Sequence, residues 1–279
     1  MTIKKWMGMV CLCGVVFCGI PAKASLLYST LKDGFGIRAL SMGNAYTAIA
    51  EGGQTIASNP AGLAQKGLSF SYENLDTESR TYSYFSSNSF FLGPLNYSSW
   101  KKEDKDGGSV EVSAIGFGKK GTNGTDWGLS YKAIKQTYGE TQTTGWTADL
   151  GVLVHANPNL NFGISAHDFV RSNAVISPTL AAGLCYFTPR KDLVLSGDVV
   201  IGTQTNKSDL TTRYGVEYEV AEGLKLRGGW NQGQLSAGVE VSLSLLHVNY
   251  GVIYPSDDSG ATYMLGFEIG KPVASAQKK

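Results

Sequence analysis

The sequence has three histidines, His155, His167 and His247, and histidine is the side chain that most often serves as a general base in catalysis. His167 stands directly before Asp168, and the chain has many serines, so the parts of a Ser-His-Asp nucleophile are present. On a β-strand, however, neighbours in sequence point to opposite faces, which would separate this histidine from this aspartate. The strained G-x-S-x-G turn that exposes a nucleophilic serine is absent from the sequence. The sequence therefore predicts no catalytic residues and no enzyme.

Motifs for cofactors and metals are equally weak. Residues 116–121 (GFGKKG) fit G-x-G-x-x-G, but a dinucleotide site also requires a helix that opens at the last glycine. Here a turn-forming stretch, residues 122–126, follows and leads into another alternating run, which indicates a hairpin. The sequence has no H-E-x-x-H, and Cys185 is the one cysteine that lies beyond the first 24 residues. We expect no cofactor and no metal.

Alternation of apolar and polar residues dominates the chain from residue 68 to residue 269. In one run, Trp146, Ala148 and Leu150 would share one face of a strand, while Thr147 and Asp149 would share the other. Similar runs recur, each closed by Gly, Asn, Asp or Pro, which are the residues of tight turns. The predicted strands begin near Leu68, Arg80, Pro94, Ser109, Trp127, Gly145, Leu160, Pro178, Leu193, Thr211, Leu224, Gln234, Leu245 and Ala261.

Two architectures fit such a chain, a soluble β-sandwich and an outer-membrane barrel. Only 17% of the residues are charged, and aromatic residues such as Trp127 and Trp146 stand near the ends of the apolar faces, as in the girdles of membrane barrels. The polar faces contain many of the 35 glycines, which favours a lumen that a plug approaches closely. The pattern predicts an all-β fold, a transmembrane antiparallel up-and-down barrel of about fourteen strands. A count of about twelve stays open, because residues 80–100 could hold fewer strands around Pro94.

The N-terminal part divides into a signal and a compact segment. Residues 1–24 combine a positive start, an apolar stretch and the small-x-small sequence Ala22-Lys23-Ala24, which predicts a cleaved signal peptide. Residues 25–67, rich in Gly, Ala and Ser, predict a hatch that plugs a barrel of residues 68–270, and residues 271–279 predict a polar tail. Such an exported barrel is expected in a bacterial outer membrane, in contact with lipid, with both chain termini on the periplasmic side.

Charged residues on the inward faces of the strands would line the lumen. They are Lys132, Asp149, Asp198, Arg213, Glu217, Lys225, Arg227, Glu240 and Glu268. Because the two signs are nearly balanced, we expect a hydrated interior in which opposite charges pair across neighbouring strands; a ligand or ion path is the alternative. The net charge of +1 gives no reason to expect a nucleic-acid partner.

Residues 36–48 (GIRALSMGNAYTA) and 58–64 (SNPAGLA) resemble the N-terminal signature of the FadL-like superfamily of outer-membrane barrels. They are more similar to its PorV/PorQ-type branch, whose pattern runs G-x-R-A-x-x-M-G-x-A-[FY]-x-A … N-P-A-G-L. Near the C-terminus, LKLRGGW, SAGVE and VNYGV also resemble that branch. The resemblance implies that the N-terminal segment folds as a hatch in a fourteen-stranded barrel. The motif positions that it assigns to the hatch are Arg38, Met42, Gly43, Asn44, Asn59, Pro60, Ala61 and Gly62.

The resemblance also implies a function. Some members of the superfamily pass fatty acids and other hydrophobic molecules through the hatch, whereas PorV-like members serve protein secretion. The chain is therefore expected to transport small hydrophobic molecules such as fatty acids across the outer membrane. The alternative is a non-channel partner barrel of a protein secretion or envelope assembly, with a secretion-system protein as its partner.

Overall fold

A computed structural model describes residues 26–32, 35–65, 68–77, 80–88, 95–103, 107–172, 176–204, 207–254 and 260–271. The predicted signal peptide, residues 1–24, and residues 272–279 of the predicted tail lie outside the described residues.

The described chain contains fourteen strands, as the alternation predicts. They are β1 Leu68–Thr77, β2 Arg80–Asn88, β3 Leu95–Glu103, β4 Ser109–Lys120, β5 Thr125–Tyr138, β6 Thr141–Asn157, β7 Leu160–Arg171, β8 Thr179–Phe187, β9 Leu193–Gln204, β10 Lys207–Ala221, β11 Leu224–Asn231, β12 Gln234–Leu243, β13 Leu246–Tyr254 and β14 Thr262–Lys271. Three of them, β5, β6 and β10, begin earlier than the predicted Trp127, Gly145 and Thr211, and β14 includes the first residue of the predicted tail.

Every strand pairs antiparallel with its neighbours in sequence, and β1 also pairs with β14, so the sheet closes into a barrel. The predicted up-and-down barrel and its count of fourteen strands are confirmed. We call the end at which Leu68 faces Lys271 the proximal end of the barrel. The opposite end, where β9 turns into β10 and β13 ends at Tyr254, is the distal end.

The outer surface of the barrel is apolar over a broad band. Its exposed large side chains include Trp127, Tyr131, Trp146, Leu184, Leu195, Val199, Tyr214, Tyr218, Leu226, Tyr250, Leu265 and Phe267. Aromatic rings pair across neighbouring strands within the band, with centroid separations of 5.9 Å for Tyr131 and Trp146 and 5.7 Å for Tyr214 and Trp230. A continuous apolar surface of this extent is unfavourable in water, and an apolar band with aromatic residues is what a lipid-facing barrel surface requires.

Among the described residues, four short helices precede the barrel: α1 Leu26–Lys32, α2 Ile37–Ser41, α3 Thr55–Ser58 and a 3-10 helix, Pro60–Ala64. Together with their connections they form the hatch, here residues 26–32 and 35–65, which lies inside the barrel. The Tyr28 hydroxyl contacts Asp209 at the distal end, whereas Ala64 packs on Gly118 of β4 near the proximal end. The hatch therefore runs the length of the lumen, with α1 at the distal end. No helix of the described residues is long and apolar enough to cross a membrane.

Alternation of inward and outward side chains is interrupted in the wall between β6 and β7. Between β6 and β7 the register passes from Ala148 opposite Val170 to Leu150 opposite Ala166, which leaves extra residues on β7. Asp168 lies in this bulge with a φ of 57°, in the left-handed region. As a result His167 and Asp168 are both buried on the inward side, so the expectation that they point to opposite faces is wrong.

Candidate functional site

The hatch is built from turns more than from helices. Gly36, Gly43 and Asn44 all have positive φ values, which break the segment into pieces too short to form a helical domain. At its proximal end Asn59 accepts a hydrogen bond from the backbone N–H of Ala61 (3.1 Å), and so caps the 3-10 helix that Pro60 begins.

The amide group of Asn59 also joins the hatch to the wall. Its Nδ2 donates to the carbonyl of Thr47 (2.8 Å) and to the carbonyl of Val152 on β6 (3.1 Å). One side chain thus satisfies backbone groups from two hatch segments and one strand. Asn59 and Ala61 are completely buried, and Pro60 is buried with them.

Six inward glycines allow the hatch backbone to contact the wall: Gly118, Gly128, Gly151, Gly163, Gly215 and Gly229, which we call the glycine belt. A Cβ atom added to Gly229 would lie 2.0 Å from the amide nitrogen of Gly43, and one added to Gly128 would lie 2.0 Å from the carbonyl oxygen of Pro60. No side chain fits in that space, so glycine is required for close backbone approach. The polar faces of the strands are rich in glycine because the backbone of the hatch packs directly against them, as the sequence predicts for a plug that lies close to the wall.

Arg38 joins α2 to the wall through carboxylates. Its Nε and Nη2 both donate to Glu217 of β10 at 2.8 Å, and its Nη1 donates to Glu51 (2.8 Å) and to the hydroxyl of Tyr46 (3.1 Å). Burial disfavours the charged guanidinium, but Glu217, Tyr46 and Glu51 outweigh that penalty, so the pKa of Arg38 lies above its ordinary value. The two-pronged geometry favours arginine over lysine at this position.

The carboxylate of Glu217 also pairs with a side chain of the neighbouring strand of the wall. Glu217 accepts from Arg227 of β11 (2.6 Å), which also donates to Asn249 (2.7 Å) and to Glu240 of β12. Glu240 is paired in turn with Lys225, whose side chain is partly exposed. We call the set Arg38, Glu51, Glu217, Lys225, Arg227 and Glu240 the arginine network; it contains three positive and three negative side chains.

A second polar contact holds the middle of the hatch. The carboxylate of Asp198 on β9 accepts from the backbone N–H groups of Tyr46 and Thr47, each at 2.9 Å. Gly43 donates from its backbone to the Ser236 hydroxyl of β12 (3.2 Å). These contacts are made to the hatch backbone.

A third cluster surrounds the bulge. Lys132 of β5 is completely buried and pairs with Asp149 of β6 (2.8 Å) and with Asp168 of β7 (3.3 Å). Ser130 donates to Asp149 (2.9 Å) and Thr147 donates to Asp168 (2.7 Å). The ion pairs across neighbouring strands that the sequence suggests are present here.

The cluster also brings Ser165, His167 and Asp149 together. The Ser165 hydroxyl lies 2.8 Å from His167 Nε2, and His167 Nδ1 lies 3.4 Å from Asp149. Ser165 also donates to the carbonyl of Ser58 in the hatch (3.0 Å), and that carbonyl lies 3.1 Å from His167 Nε2. A nucleophilic serine needs space for a substrate carbonyl, and here the hatch backbone occupies that space. The arrangement is a contact between hatch and wall.

The other predicted site residues are distributed as follows. Arg213 donates to the carbonyl of Lys32 in α1 (3.0 Å), and Glu268 is half-buried on β14. Met42 and Asn44 are buried in the hatch, and a Cβ atom on Gly62 would lie 2.1 Å from the carbonyl oxygen of Ala50.

Sequence reasoning missed an apolar region of the inner wall. Its residues are Trp100 of β3, Val110, Val112 and Ala114 of β4, and Ile134 of β5, all buried on the inward face of the distal half. We call these five residues the apolar wall. On the outer face of the same strand halves, Lys101, Glu111 and Lys135 are exposed. The polarity is therefore inverted here, and β4, with apolar residues at inward positions beside an outward glutamate, carries the signal in the sequence.

Comparisons with known proteins find solved structures with a similar fold but no match by sequence. No protein-family model matches the chain, and no curated protein matches it. Among solved structures, the monoaromatic hydrocarbon channel CymD superimposes with a TM-score of 0.63 at 12% identity, over 85% of this chain and 96% of that chain. The Pseudomonas putida toluene transporter TodX gives 0.59 at 10% identity, over 85% and 97%, and the Ralstonia pickettii toluene transporter TbuX gives 0.57 at 12%, over the same shares.

The chain has the fold of these channels. At such low identity the similarity shows the fold alone. Its closed fourteen-stranded wall and internal hatch are the features on which a functional proposal can rest.

Proposed function

We propose that the chain is a bacterial outer-membrane barrel that transports small hydrophobic molecules and that its hatch is the gate. The observation that carries the proposal is a separate hatch that lies inside a closed barrel, while the barrel exterior is apolar. The structural neighbours named as toluene transporters and a monoaromatic hydrocarbon channel support the same class of cargo. The more specific proposal, that the cargo is a fatty acid, rests on the resemblance to the FadL-like superfamily.

The hatch must move for anything to pass. Almost every described residue from 35 to 64 is buried, so in this conformation the hatch fills the cross-section between β4 and β13. The hatch residues Arg38, Met42, Gly43, Asn44, Asn59, Pro60, Ala61 and Gly62, with the charges of the inner wall, are the proposed gate. In this proposal their role is positioning and release, with no catalytic step and no cofactor.

The second candidate is the PorV-like one, a barrel that binds a partner protein of a secretion or envelope assembly and conducts nothing. One observation favours it: the hatch is locked to the wall by the arginine network and by Asp198, as would suit a barrel that never opens. Localisation in the outer membrane after removal of the signal peptide is common to both candidates.

Uptake of radiolabelled toluene and oleate by cells with and without the protein in the outer membrane tests the proposal. We expect faster uptake of at least one of these compounds when the protein is present at equal surface density. Uptake equal to that of cells lacking the protein would contradict transport. Recovery of a stoichiometric protein partner from the same membranes would then favour the second candidate.

A further inference from the structure

At the distal mouth α1 packs against the apolar wall, and α1 has two different faces. Leu27 and Leu31 are one helical turn apart and are buried in the same apolar cluster as Trp100, Val110 and Val112. Leu26 and Phe35 belong to the same cluster, and the ring centroid of Phe35 lies 4.4 Å from that of Trp100. The remaining members are Ile56, Ala57 and Leu63 of the hatch and Ile176.

The other face of α1 is held by polar side chains. Tyr28 and Lys32, also one turn apart, both contact the carboxylate of Asp209 at the distal end of β10, the tyrosine at 3.1 Å. On the opposite side of the lumen, Lys102 of β3 donates to the Ser29 hydroxyl (2.8 Å). Asp209 remains partly exposed, so these contacts lie at the solvent end of the lumen.

One polar atom inside the apolar cluster has no hydrogen-bond partner within the part of the chain that the structure describes. The indole N–H of Trp100 is buried and donates to no acceptor among the described residues, while the Trp100 side chain is only 3% exposed. A buried donor without an acceptor is costly, and such an atom is a reason to expect a ligand that supplies the acceptor.

We propose that the apolar wall is the cargo-binding site, that it takes a flat hydrophobic molecule with one hydrogen-bond acceptor, and that α1 occupies it in the resting state. This inference rests on the proposed function and specifies its substrate class and its gate. The cargo displaces the leucines of α1, packs against Val112 and Ile134, and accepts a hydrogen bond from Trp100. Because the outer face of these strand halves is charged, the site stands above the lipid-facing band, where cargo arrives.

Binding and displacement of α1 are then coupled. A ligand that binds only when α1 has left shows an affinity reduced by the fraction of molecules in which α1 is displaced. Any change that loosens α1 without touching the apolar wall therefore strengthens binding of every ligand of the site equally. A change at Trp100 affects only ligands that carry the acceptor.

Two probes of nearly the same shape separate these effects: 2-acetylnaphthalene, which has a carbonyl acceptor, and 2-isopropylnaphthalene, which has none. Their dissociation constants are measured by calorimetry on the full chain in lipid nanodiscs. We expect the wild type to bind the ketone about threefold to tenfold more tightly than the hydrocarbon, the value of one net hydrogen bond. Trp100→Phe removes the N–H and keeps an aromatic ring, so it should abolish the difference and leave hydrocarbon binding nearly unchanged.

Asp209→Ala tests the role of α1, because it removes the acceptor of Tyr28 and Lys32. It should tighten binding of both probes by the same factor, on the order of threefold or more. Asp192→Ala, at an exposed turn near the proximal end and far from α1, is the matched control and should change neither.

Equal affinities of the two probes in the wild type, or a difference that survives Trp100→Phe, would overturn the assignment of the acceptor site. Unchanged affinities in Asp209→Ala would overturn the role of α1. Either failure leaves the uptake assay for toluene and oleate unaffected, so the loss of this inference and the loss of the proposed function can be told apart.

Discussion

The two sides of the lumen hold the hatch by opposite means. On β3–β5 the distal inner wall is apolar and contacts α1 through leucines, whereas on β10–β13 the proximal inner wall is charged and contacts α2 through Arg38. An apolar contact can be exchanged for another apolar molecule at little cost. A buried ion pair cannot be opened without leaving a charge unpaired, which is strongly unfavourable. The ion pair of α1, Lys32 with Asp209, lies at the distal end with Asp209 partly exposed, so water can solvate its charges when it opens. The difference indicates that α1 is the moving part of the gate and α2 its anchor.

The largest expected effect lies on the anchor side. Arg38→Met removes the partner of Glu51 and one of the two partners of Glu217, at a cost of about 3–5 kcal/mol of unfolding free energy. The midpoint of denaturant unfolding in detergent micelles measures it. Lys101→Met, which breaks an exposed ion pair with Glu103, is the control and should cost about 1 kcal/mol or less. If the two substitutions lowered the unfolding midpoint equally, Arg38 would hold the hatch no more strongly than an exposed ion pair holds the surface, and the role of α2 as an anchor would be contradicted.

A substitution in the glycine belt should have the second-largest effect. In Gly229→Val the added Cβ would lie 2.0 Å from the backbone of Gly43, so the hatch must shift, at about 1–3 kcal/mol, and planar-bilayer conductance should rise. Gly228→Val is a close control, because Gly228 is adjacent to Gly229 on the same strand but faces outward. A Cβ atom added to Gly228 would meet only Val216, at 3.4 Å. If both variants conduct like the wild type, the belt does not seal the lumen.

Leucine truncation on the moving side should have the smallest effect on stability. Leu153→Ala, at a completely buried position of β6 in one cluster with Ala50 and Ala61, should cost about 2–5 kcal/mol. Leu31→Ala should cost clearly less, because α1 can leave its position while the barrel stays closed. Limited proteolysis should then cut α1 faster in Leu31→Ala, with the unfolding midpoint almost unchanged. If Leu31→Ala lowered the unfolding midpoint as far as Leu153→Ala does, α1 would be part of the stable core, and its role as the moving part would be contradicted.

Alternation and composition were sufficient to predict the barrel, because period two is fixed by strand geometry and few architectures combine it with so much glycine. The strand beginnings at Leu68, Arg80, Ser109, Leu160, Leu193, Leu224 and Gln234 coincide with the predicted ones. The early strands, which left a count of about twelve possible, are separate elements on either side of Pro94.

Three features could not be predicted, each for a physical reason. The bulge at Asp168 depends on a carboxylate of the neighbouring strand, since Asp149 accepts from the Asp168 backbone N–H (2.9 Å), and a single strand does not reveal its neighbour. The apolar wall could not be predicted because the other face of β4 also holds apolar residues, Ile115 and Phe117, and the single outward Glu111 does not identify the inner face. The course of α1 to the distal end is fixed by Asp209, which lies far along the chain.

The central claim, that α1 moves and α2 stays, is tested most directly by hydrogen–deuterium exchange on the full chain in nanodiscs, with and without saturating 2-acetylnaphthalene. We expect amide exchange in residues 26–32 to rise on ligand binding while exchange in residues 37–47 stays slow. Faster exchange in residues 37–47 with α1 still protected would contradict the account, as would a ligand that binds and leaves both segments unchanged.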